Sequence, residues 1–288
     1  TDMLVEDIGF RLDWSTPDFI GHKALAVSIS DIAAMGARPV WSMVSIGVPE
    51  KIWETDFVDE FYEGYMRLAN RFNIELIGGD VSKTPDKFVI DSIVAGEVKK
   101  GKAVLRSTAN VGDLIFVTGV LGDAIAGLKL LEKGVRYDNS IKIWQKEFVL
   151  AQLQPNPRND ESFSTFATSM IDLSDGLSSD LNHICKASKV GAKIYADKIP
   201  VNKIFKRLSD ENIKKFLSEN LDILDLALHG GEDFELLFTI KPSDLKKFEK
   251  KFSGNFSHIG EITEDVGKIE LVRDGRSEFL LPKGYQHF

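Results

Sequence analysis

The chain has 288 residues, of which 43% are hydrophobic and 28% charged, a composition typical of a folded globular protein. Its formal net charge of −8 argues against broad electrostatic binding to nucleic acid or to an anionic membrane, so we expect neither as a partner. Cys185 is the one cysteine, which rules out an internal disulfide and favours a reducing cytoplasm. The longest uncharged apolar stretch, "PVWSMVSIGVP", is shorter than the ~20 residues of a membrane span.

The first part of the chain predicts an α+β unit whose strands pair locally. Residues 22–39 predict a helix, because Leu25, Ile29 and Ile32 share a face and Gly36 follows as a stop signal. The other predicted elements here are strands at 40–49, 74–80 and 88–98 and a helix at 55–73.

The second part predicts a further α/β unit, and we place the boundary so that the domains are 1–105 and 106–288. A buried strand ends at Gly119 and is followed by a helix over 123–133. A strand through Met170 and Ile171 precedes a helix that begins at Leu177. The remaining predictions are strands at 192–200, 233–240, 256–262 and 268–274, a helix at 243–252 and helical material over 210–221.

Five aspartates occupy places where a strand or helix meets a turn or a cleft: Asp2, Asp31, Asp80, Asp172 and Asp175. Asp31 is the only charge between residues 24 and 37, so we expect it to be buried or to line a cleft. Asp80 closes "LIGGD", where two glycines allow a sharp turn or a close approach to a ligand.

Converging carboxylates require cations. At an effective dielectric constant near 20, two carboxylates ~4 Å apart repel by ~4 kcal/mol. Lysine and arginine are sparse around these aspartates. Magnesium prefers oxygen ligands and binds substrate phosphates as well, so the aspartates predict a magnesium site.

Each of these residues also has a structural interpretation. Ser174 or Asp175 can cap the helix that follows, and "GGD" is a common turn. Arg106 is either a solvated surface residue or a phosphate ligand. Glu232 or Asp233, in "LHGGEDFELLF", either recognises a donor-rich or cationic substrate or belongs to a polar loop.

Other familiar motifs are incomplete. Residues 96–103, "GEVKKGKA", have the spacing of a phosphate-binding loop, but Ala103 stands where a hydroxyl should contact magnesium. A hairpin turn is the better prediction there. The five histidines have no metal-ligand spacing, which argues against zinc.

Taken in order, several segments resemble the thiamine-monophosphate kinase family, within the aminoimidazole-ribonucleotide-synthetase-like superfamily. They are "TDMLVE", "KALAVSISDIAAMGARP", "LIGGD", "LRSTANVGDLIFVTGVLGDAIAGL", "QPNPR", "MIDLSDGLSSDLNHI", "GGEDFELLFT", "IGEI" and "KGYQHF". The resemblance implies a homodimer whose N-terminal sheets complete a barrel, with a C-terminal α/β sandwich. It also implies ATP, several magnesium ions and thiamine monophosphate as ligands, and direct transfer of the γ-phosphoryl group to give thiamine diphosphate.

The resemblance assigns roles to matching residues. The implied metal ligands are Thr1, Asp2, Asp31, Asp80, Asp172 and Asp175. The implied ATP contacts are Gly79, Asp80, Arg106 and Ser174. The implied substrate contacts are Glu232 and Tyr285, with Tyr285 facing the thiamine rings. Among these residues, Asp31, Asp80, Asp172 and Arg106 are the ones expected to act in catalysis.

Three departures from the family pattern are visible. Members carry a longer segment before the position of Thr1, with a Gly-Asp-Asp sequence that supplies further ligands, so we expect the first domain to lack it. Gly9 stands where many members have a substrate-contacting histidine. Val81 replaces the threonine that usually follows "GGD".

Two kinds of alternative remain. Another ATP-using synthetase of the superfamily is the nearest, although the selenophosphate and hydrogenase-maturation relatives need a cysteine near one end of the chain, whereas Cys185 is internal. A non-catalytic nucleotide-binding protein is the other. The run of acidic residues argues against it, because a scaffold has no reason to gather like charges.

Overall fold

The computed structural model describes residues 1–158, 163–207, 222–252 and 256–285. The strands are β1 (Asp2–Val5), β2 (Arg38–Pro49), β3 (Glu75–Thr84), β4 (Val89–Glu97), β5 (Leu114–Thr118), β6 (Ala167–Asp172), β7 (Gly191–Tyr195), β8 (Leu236–Ile240), β9 (Phe256–Thr263), β10 (Ile269–Arg273) and β11 (Arg276–Phe279). The helices are α1 (Pro17–Ala34), α2 (Glu50–Trp53), α3 (Phe57–Phe72), α4 (Asp123–Glu132), α5 (Ile143–Leu153), α6 (Leu177–Ser188), α7 (Lys203–Arg207), α8 (Ile223–His229) and α9 (Leu245–Lys251).

The described strands form two mixed sheets, which confirms the α/β prediction. The first has four strands in the order β1-β4-β2-β3, and the second has seven in the order β11-β10-β7-β9-β5-β8-β6. The connection between the sheets runs from Glu97 to Leu114. None of the described helices combines the length and the apolar character that crossing a bilayer requires.

Helix α1 lies between the two sheets and is buried on nearly every side. It begins five residues before the predicted start because Pro17 occupies its first turn, where the missing N–H costs nothing. Its middle, with Leu25, packs on the first sheet, whereas Ala33 and Ala34 pack in a core with side chains of the second sheet. Burial on nearly every side puts the helix in the interior of the protein, and the helix places Asp31 where both domains meet.

The strand β3 runs straight through "GGD", so neither glycine makes a turn. A Cβ at Gly79 would stand 1.9 Å from the carbonyl oxygen of Val44 on the neighbouring strand β2. Glycine is therefore required there for close strand packing, beside a register shift between Ser42 and Met43.

Several sequence predictions differ from the structure. β1 does not pair locally, since Asp2 lies opposite Ser92 of β4. The strand predicted over 192–200 ends at Tyr195 and continues as a 3₁₀ turn. Residues 96–103 do not form a hairpin, because the turn at Lys99–Lys102 leads to the other sheet. The helical prediction over 210–221 lies outside the described residues.

Candidate active site

Three of the predicted metal ligands converge where α1 meets both sheets. Asp172 ends β6 and is 3% exposed, and Ser30 of α1 donates a hydrogen bond of 2.8 Å to its Oδ2. Ser28, one half-turn away on α1, donates a hydrogen bond of 2.9 Å to Asp2 Oδ2. The alternating serines of "VSISD" thus connect α1 to an aspartate from each domain.

Asp31 connects these carboxylates electrostatically, because it interacts with both Asp2 and Asp172. Burial raises the pKa of Asp172 to about 6, the charge of Asp31 adds to the rise, and Arg106 opposes it. Burial also raises the pKa of Asp31, with the charge of Asp2 adding to it and Arg106 again opposing it. We call Asp2, Asp31 and Asp172 the junction cluster, with Arg106 as its nearby cation.

Two loops and the C-terminal segment meet beside the junction cluster. The backbone N–H of Glu232 donates to the carbonyl oxygen of Ser174 at 2.8 Å, and that of Tyr285 donates to the carbonyl oxygen of Asp175 at 3.2 Å. These backbone hydrogen bonds therefore bring together four predicted site residues from three separate segments of the chain.

A histidine of α6 lies close to two carboxylates, one on the same helix and one in the loop before it. Asp175, Asp180 and His183 each place a possible ligand atom within 4.8 Å of the others. Burial raises the pKa of Asp180 to about 8, and the charges of Asp172 and Asp175 add to the rise. The structure thus adds one candidate arrangement that the histidine spacing did not indicate, with His183 one turn after Asp180. The prediction against zinc stays a prediction.

Asp80 and Thr1 lie on the other face of the N-terminal sheet. Strand pairing aligns Asp80 with Ser45, and Ser45 with Asp91. Asp2 lies opposite Ser92, the residue after Asp91, and its side chain points to α1. Because successive side chains of a strand point to opposite faces, Asp91 and Asp80 point away from α1. Thr1 Oγ1 donates to Asp91 Oδ1 at 2.8 Å. Within one chain the structure thus separates Asp80 from the junction cluster.

Sequence reasoning missed the residues that hold Glu232. Lys23 Nζ lies 2.7 Å from Glu232 Oε1, and Gln152 Nε2 donates to Glu232 Oε2 at 2.5 Å. The available signal was weak: Lys23 is an isolated cation near the start of an apolar helix. Asp91 was missed because a lone aspartate in a strand carries no motif.

The junction cluster fits magnesium by its donor set. Its ligand atoms are carboxylate oxygens with serine hydroxyls beside them, as this hard cation prefers. Asp2 and Asp172 each accept one side-chain hydrogen bond among the described residues, which leaves further acceptor positions on each carboxylate for a cation.

The chain matches two domain families and many full-length relatives. The AIR synthase related protein N-terminal domain matches residues 1–98, and the AIR synthase related protein C-terminal domain matches residues 110–272. The thiamine-monophosphate kinase of Buchnera aphidicola (from Acyrthosiphon pisum) is 40% identical, over 100% of this chain and 86% of that protein. The Bacillus subtilis thiamine-monophosphate kinase is 38% identical over the same shares. The chain belongs to the thiamine-monophosphate kinase family.

Solved structures agree with this membership. Thiamine-monophosphate kinase from Stenotrophomonas maltophilia is similar with a TM-score of 0.83 and 32% identity, covering 96% of this chain and 84% of that one. AaThiL complexed with AMPPCP and TMP also has a TM-score of 0.83, with 30% identity, covering 100% of this chain and 85% of that one. The hydrogenase maturation protein HypE in complex with ATP, at 18% identity and a TM-score of 0.71, shares the fold alone.

Proposed function

We propose that this protein transfers the γ-phosphoryl group of ATP directly to the phosphate of thiamine monophosphate, giving thiamine diphosphate and ADP. The observation that carries the proposal is the junction cluster, a set of partly compensated carboxylates between two domains of a thiamine-monophosphate kinase family member. The domains would span 1–105 and 106–288, and we propose the cytoplasm as their compartment.

Several magnesium ions would be held by Thr1, Asp2, Asp31, Asp80, Asp172 and Asp175. Magnesium bound there would neutralise the negative charge of the phosphate oxygens, which otherwise repel one another and the carboxylates. Ser28 and Ser30 fix the orientation of Asp2 and Asp172, so these carboxylates need little rearrangement to accept a cation. A preorganised site of this kind lowers the free energy of the transition state.

ATP would contact Gly79, Asp80, Arg106 and Ser174. Arg106 lowers the pKa of both Asp31 and Asp172, so its guanidinium is near enough to act on the same charges. An oxygen of the substrate phosphate attacks the γ-phosphorus in line, and the bond from that phosphorus to the β–γ bridging oxygen breaks. The attacking oxygen is already anionic, so the reaction requires positioning and charge compensation rather than a strong base.

Thiamine monophosphate would contact Glu232 and Tyr285. Both are tied by backbone hydrogen bonds to the loop that carries Ser174 and Asp175, which supports binding of the substrate beside the nucleotide. Tyr285 is 51% exposed, and its aromatic ring would face the thiamine rings. Gly9 has no side chain, so the proposed site has no side-chain contact with the substrate at this position.

The protein would act as a homodimer through the outer face of its N-terminal sheet. That face carries Met3, Trp41, Met43 and Ile93, and Met3 is 68% exposed. An uncovered apolar sheet face marks an interaction surface. Asp80 lies on the same face, so association there would bring it into an enclosed site. Sedimentation at micromolar concentration is expected to give a dimer, and a purely monomeric species contradicts this.

The decisive experiment is a kinase assay with ATP, magnesium and thiamine monophosphate, followed by identification of the product. Thiamine diphosphate and ADP are expected in equal amounts. ATP turnover with aminoimidazole precursors but not with thiamine monophosphate would instead indicate another synthetase of the superfamily. Nucleotide binding without turnover of either compound would indicate a non-catalytic protein.

A further inference from the structure

Glu232 occupies a backbone conformation that is unfavourable for its residue type. Its φ is +66°, in the left-handed region that favours glycine. The hydrogen bond from its N–H to Ser174 holds the backbone in place. A strained residue that the surrounding structure holds in place points to a requirement on where its side chain is directed.

The side chain of Glu232 is held from two different elements. Lys23 comes from α1, packed against the N-terminal sheet, and Gln152 comes from the last turn of α5. Each contributes one donor to a different carboxylate oxygen, at 2.7 Å and 2.5 Å respectively. The carboxylate plane is therefore fixed in both rotation and tilt.

Lys23 is an unusual cation because it is 4% exposed. A buried ammonium without a counter-charge is strongly unfavourable, so Lys23 needs Glu232. Glu232 does not need Lys23 in the same way, since a third of its side chain is exposed to solvent. This asymmetry is consistent with a lysine whose function is to direct the glutamate.

We infer that Lys23 and Gln152 are positioning residues for Glu232, and that they orient its carboxylate to accept a hydrogen bond from the substrate. This inference rests on the proposed function. An ionised carboxylate has about four acceptor positions, and the two protein donors leave about two for a ligand. The exposed third of the side chain is where that ligand would bind.

The ion pair also restricts what Glu232 recognises. Lys23 already neutralises its charge, so the bound group needs to supply N–H donors rather than a net positive charge. In thiamine monophosphate the donor is the amino group of the pyrimidine ring, and the thiazolium ring is the permanent cation. The geometry therefore assigns the aminopyrimidine end of the substrate to Glu232.

The test compares Lys23→Met, Lys23→Arg and Gln152→Leu with the wild type. Lys23→Met and Gln152→Leu are expected to raise the KM for thiamine monophosphate by about tenfold, the effect of losing one oriented hydrogen bond to a charged group. The KM for ATP and kcat are expected to stay within about threefold, because the lost interaction concerns substrate binding alone. Lys23→Arg keeps the charge and is expected to recover most of the affinity.

His22→Ala is the matched control. His22 directly precedes Lys23 on α1 and is buried. Its Nε2–H donates to the carbonyl oxygen of Pro155 at 2.8 Å. This hydrogen bond therefore stabilises the contact between α1 and the segment after α5 without involving Glu232. The control is expected to lower the melting temperature as much as Lys23→Met does while leaving the KM for thiamine monophosphate unchanged.

A double-mutant cycle separates positioning from stability. In a Glu232→Gln background, adding Lys23→Met is expected to cause no further rise in KM, because the oriented carboxylate is already absent. Equal KM effects in Lys23→Met and His22→Ala, or fully additive effects in the cycle, overturn the inference while the kinase assignment stands. A wild type that neither binds nor phosphorylates thiamine monophosphate overturns the proposed function, and this inference with it.

Discussion

Two groups of acidic residues in this protein differ in the hydrogen-bond donors that surround them. In the first, the junction cluster, Asp2 and Asp172 each receive a hydrogen bond from one serine hydroxyl. The second, which we call the α4 cluster, consists of Asp123, Asp233 and Glu235 at the start of α4. There the backbone N–H groups of Gly122 and Ala124 donate to Asp233 at 2.7 Å and 3.2 Å.

The other members of the α4 cluster have protein partners as well. Asn202 donates to Asp123 at 2.7 Å. Arg158 makes a bidentate ion pair with Glu235, with both N–O distances at 2.5 Å, and Thr118 donates to the same carboxylate. The α4 cluster therefore uses backbone amides, an amide side chain and a full cation from within the protein.

The two groups differ in the number of their donors and not in the direction of their pKa shifts, since burial also raises the pKa of Asp123 to about 6. One oxygen of Asp123, Oδ1, is buried without a hydrogen-bond partner among the described residues. Carboxylates that the fold needs for its own stability are surrounded by donors from the protein. The junction cluster has fewer protein donors and a cation only nearby, which is consistent with the magnesium site proposed for it. Sequence position does not distinguish the two groups, since Asp172 is the last residue of a buried strand and Asp123 comes shortly after another.

The largest effect expected from this comparison is on turnover. Asp172→Asn and Asp80→Asn are expected to lower kcat by ~10²–10³, the cost of losing one preorganised charged group. The fold should persist, because the change removes repulsion. Asp123→Asn, from the α4 cluster, is the control and should stay within a few-fold of wild type. Near-normal rates for Asp172→Asn and Asp80→Asn at limiting magnesium would remove these residues from the site.

For Arg158 we expect an effect on stability and not on the magnesium dependence of turnover. Arg158→Ala leaves the carboxylate of Glu235 with Thr118 as its remaining side-chain donor among the described residues. We expect the free energy of unfolding to fall by about 2 kcal/mol, measured by urea denaturation, with an unchanged magnesium dependence of turnover. Lys83→Ala, which breaks an exposed ion pair with Glu50, should leave the free energy of unfolding nearly unchanged. Equal losses in both variants would contradict the comparison.

Magnesium is expected to stabilise the protein through the junction cluster. At a magnesium concentration well above its dissociation constant, the free energy of unfolding should rise by about 1–2 kcal/mol. Asp31→Asn should be more stable than the wild type without magnesium and should respond less to its addition. A response that is equal in wild type and Asp31→Asn would place the bound cation elsewhere.

A further expected signal is a pH slope from the α4 cluster. Burial raises the pKa of Asp233 to about 8, with Asp123 and Glu235 adding to the rise and the two backbone donors opposing it. Between its unfolded pKa near 4 and about 8 the folded state binds the extra proton, so this contribution to stability is lost as pH rises. The slope it adds is at most about 1.4 kcal/mol per pH unit. Asp233→Asn should flatten that part of the pH profile, and an unchanged slope would contradict the assignment.

The sequence predicted the elements whose signals are local and strong. The helix at 55–73 was confirmed as α3, and the helix from Leu177 as α6, because apolar spacing and caps act within a few residues. Predictions that depended on non-local contacts failed. The pairing of β1 with β4 joins residues far apart in the chain, and "GGD" is a strand because Val44 of the neighbouring strand passes close to Gly79.

The sequence by itself determined the class of fold, the family resemblance and the choice of Asp2, Asp31 and Asp172 as unusual acids, because each is visible as a local pattern of residue types. Tertiary structure alone decided which acids share an environment, which are satisfied by protein donors, and that Asp80 lies across the sheet from the others. It also decided that Lys23 and Gln152 hold Glu232. The physical reason is that carboxylate energetics depend on burial and on donors a few ångströms away, and those donors come from distant parts of the chain.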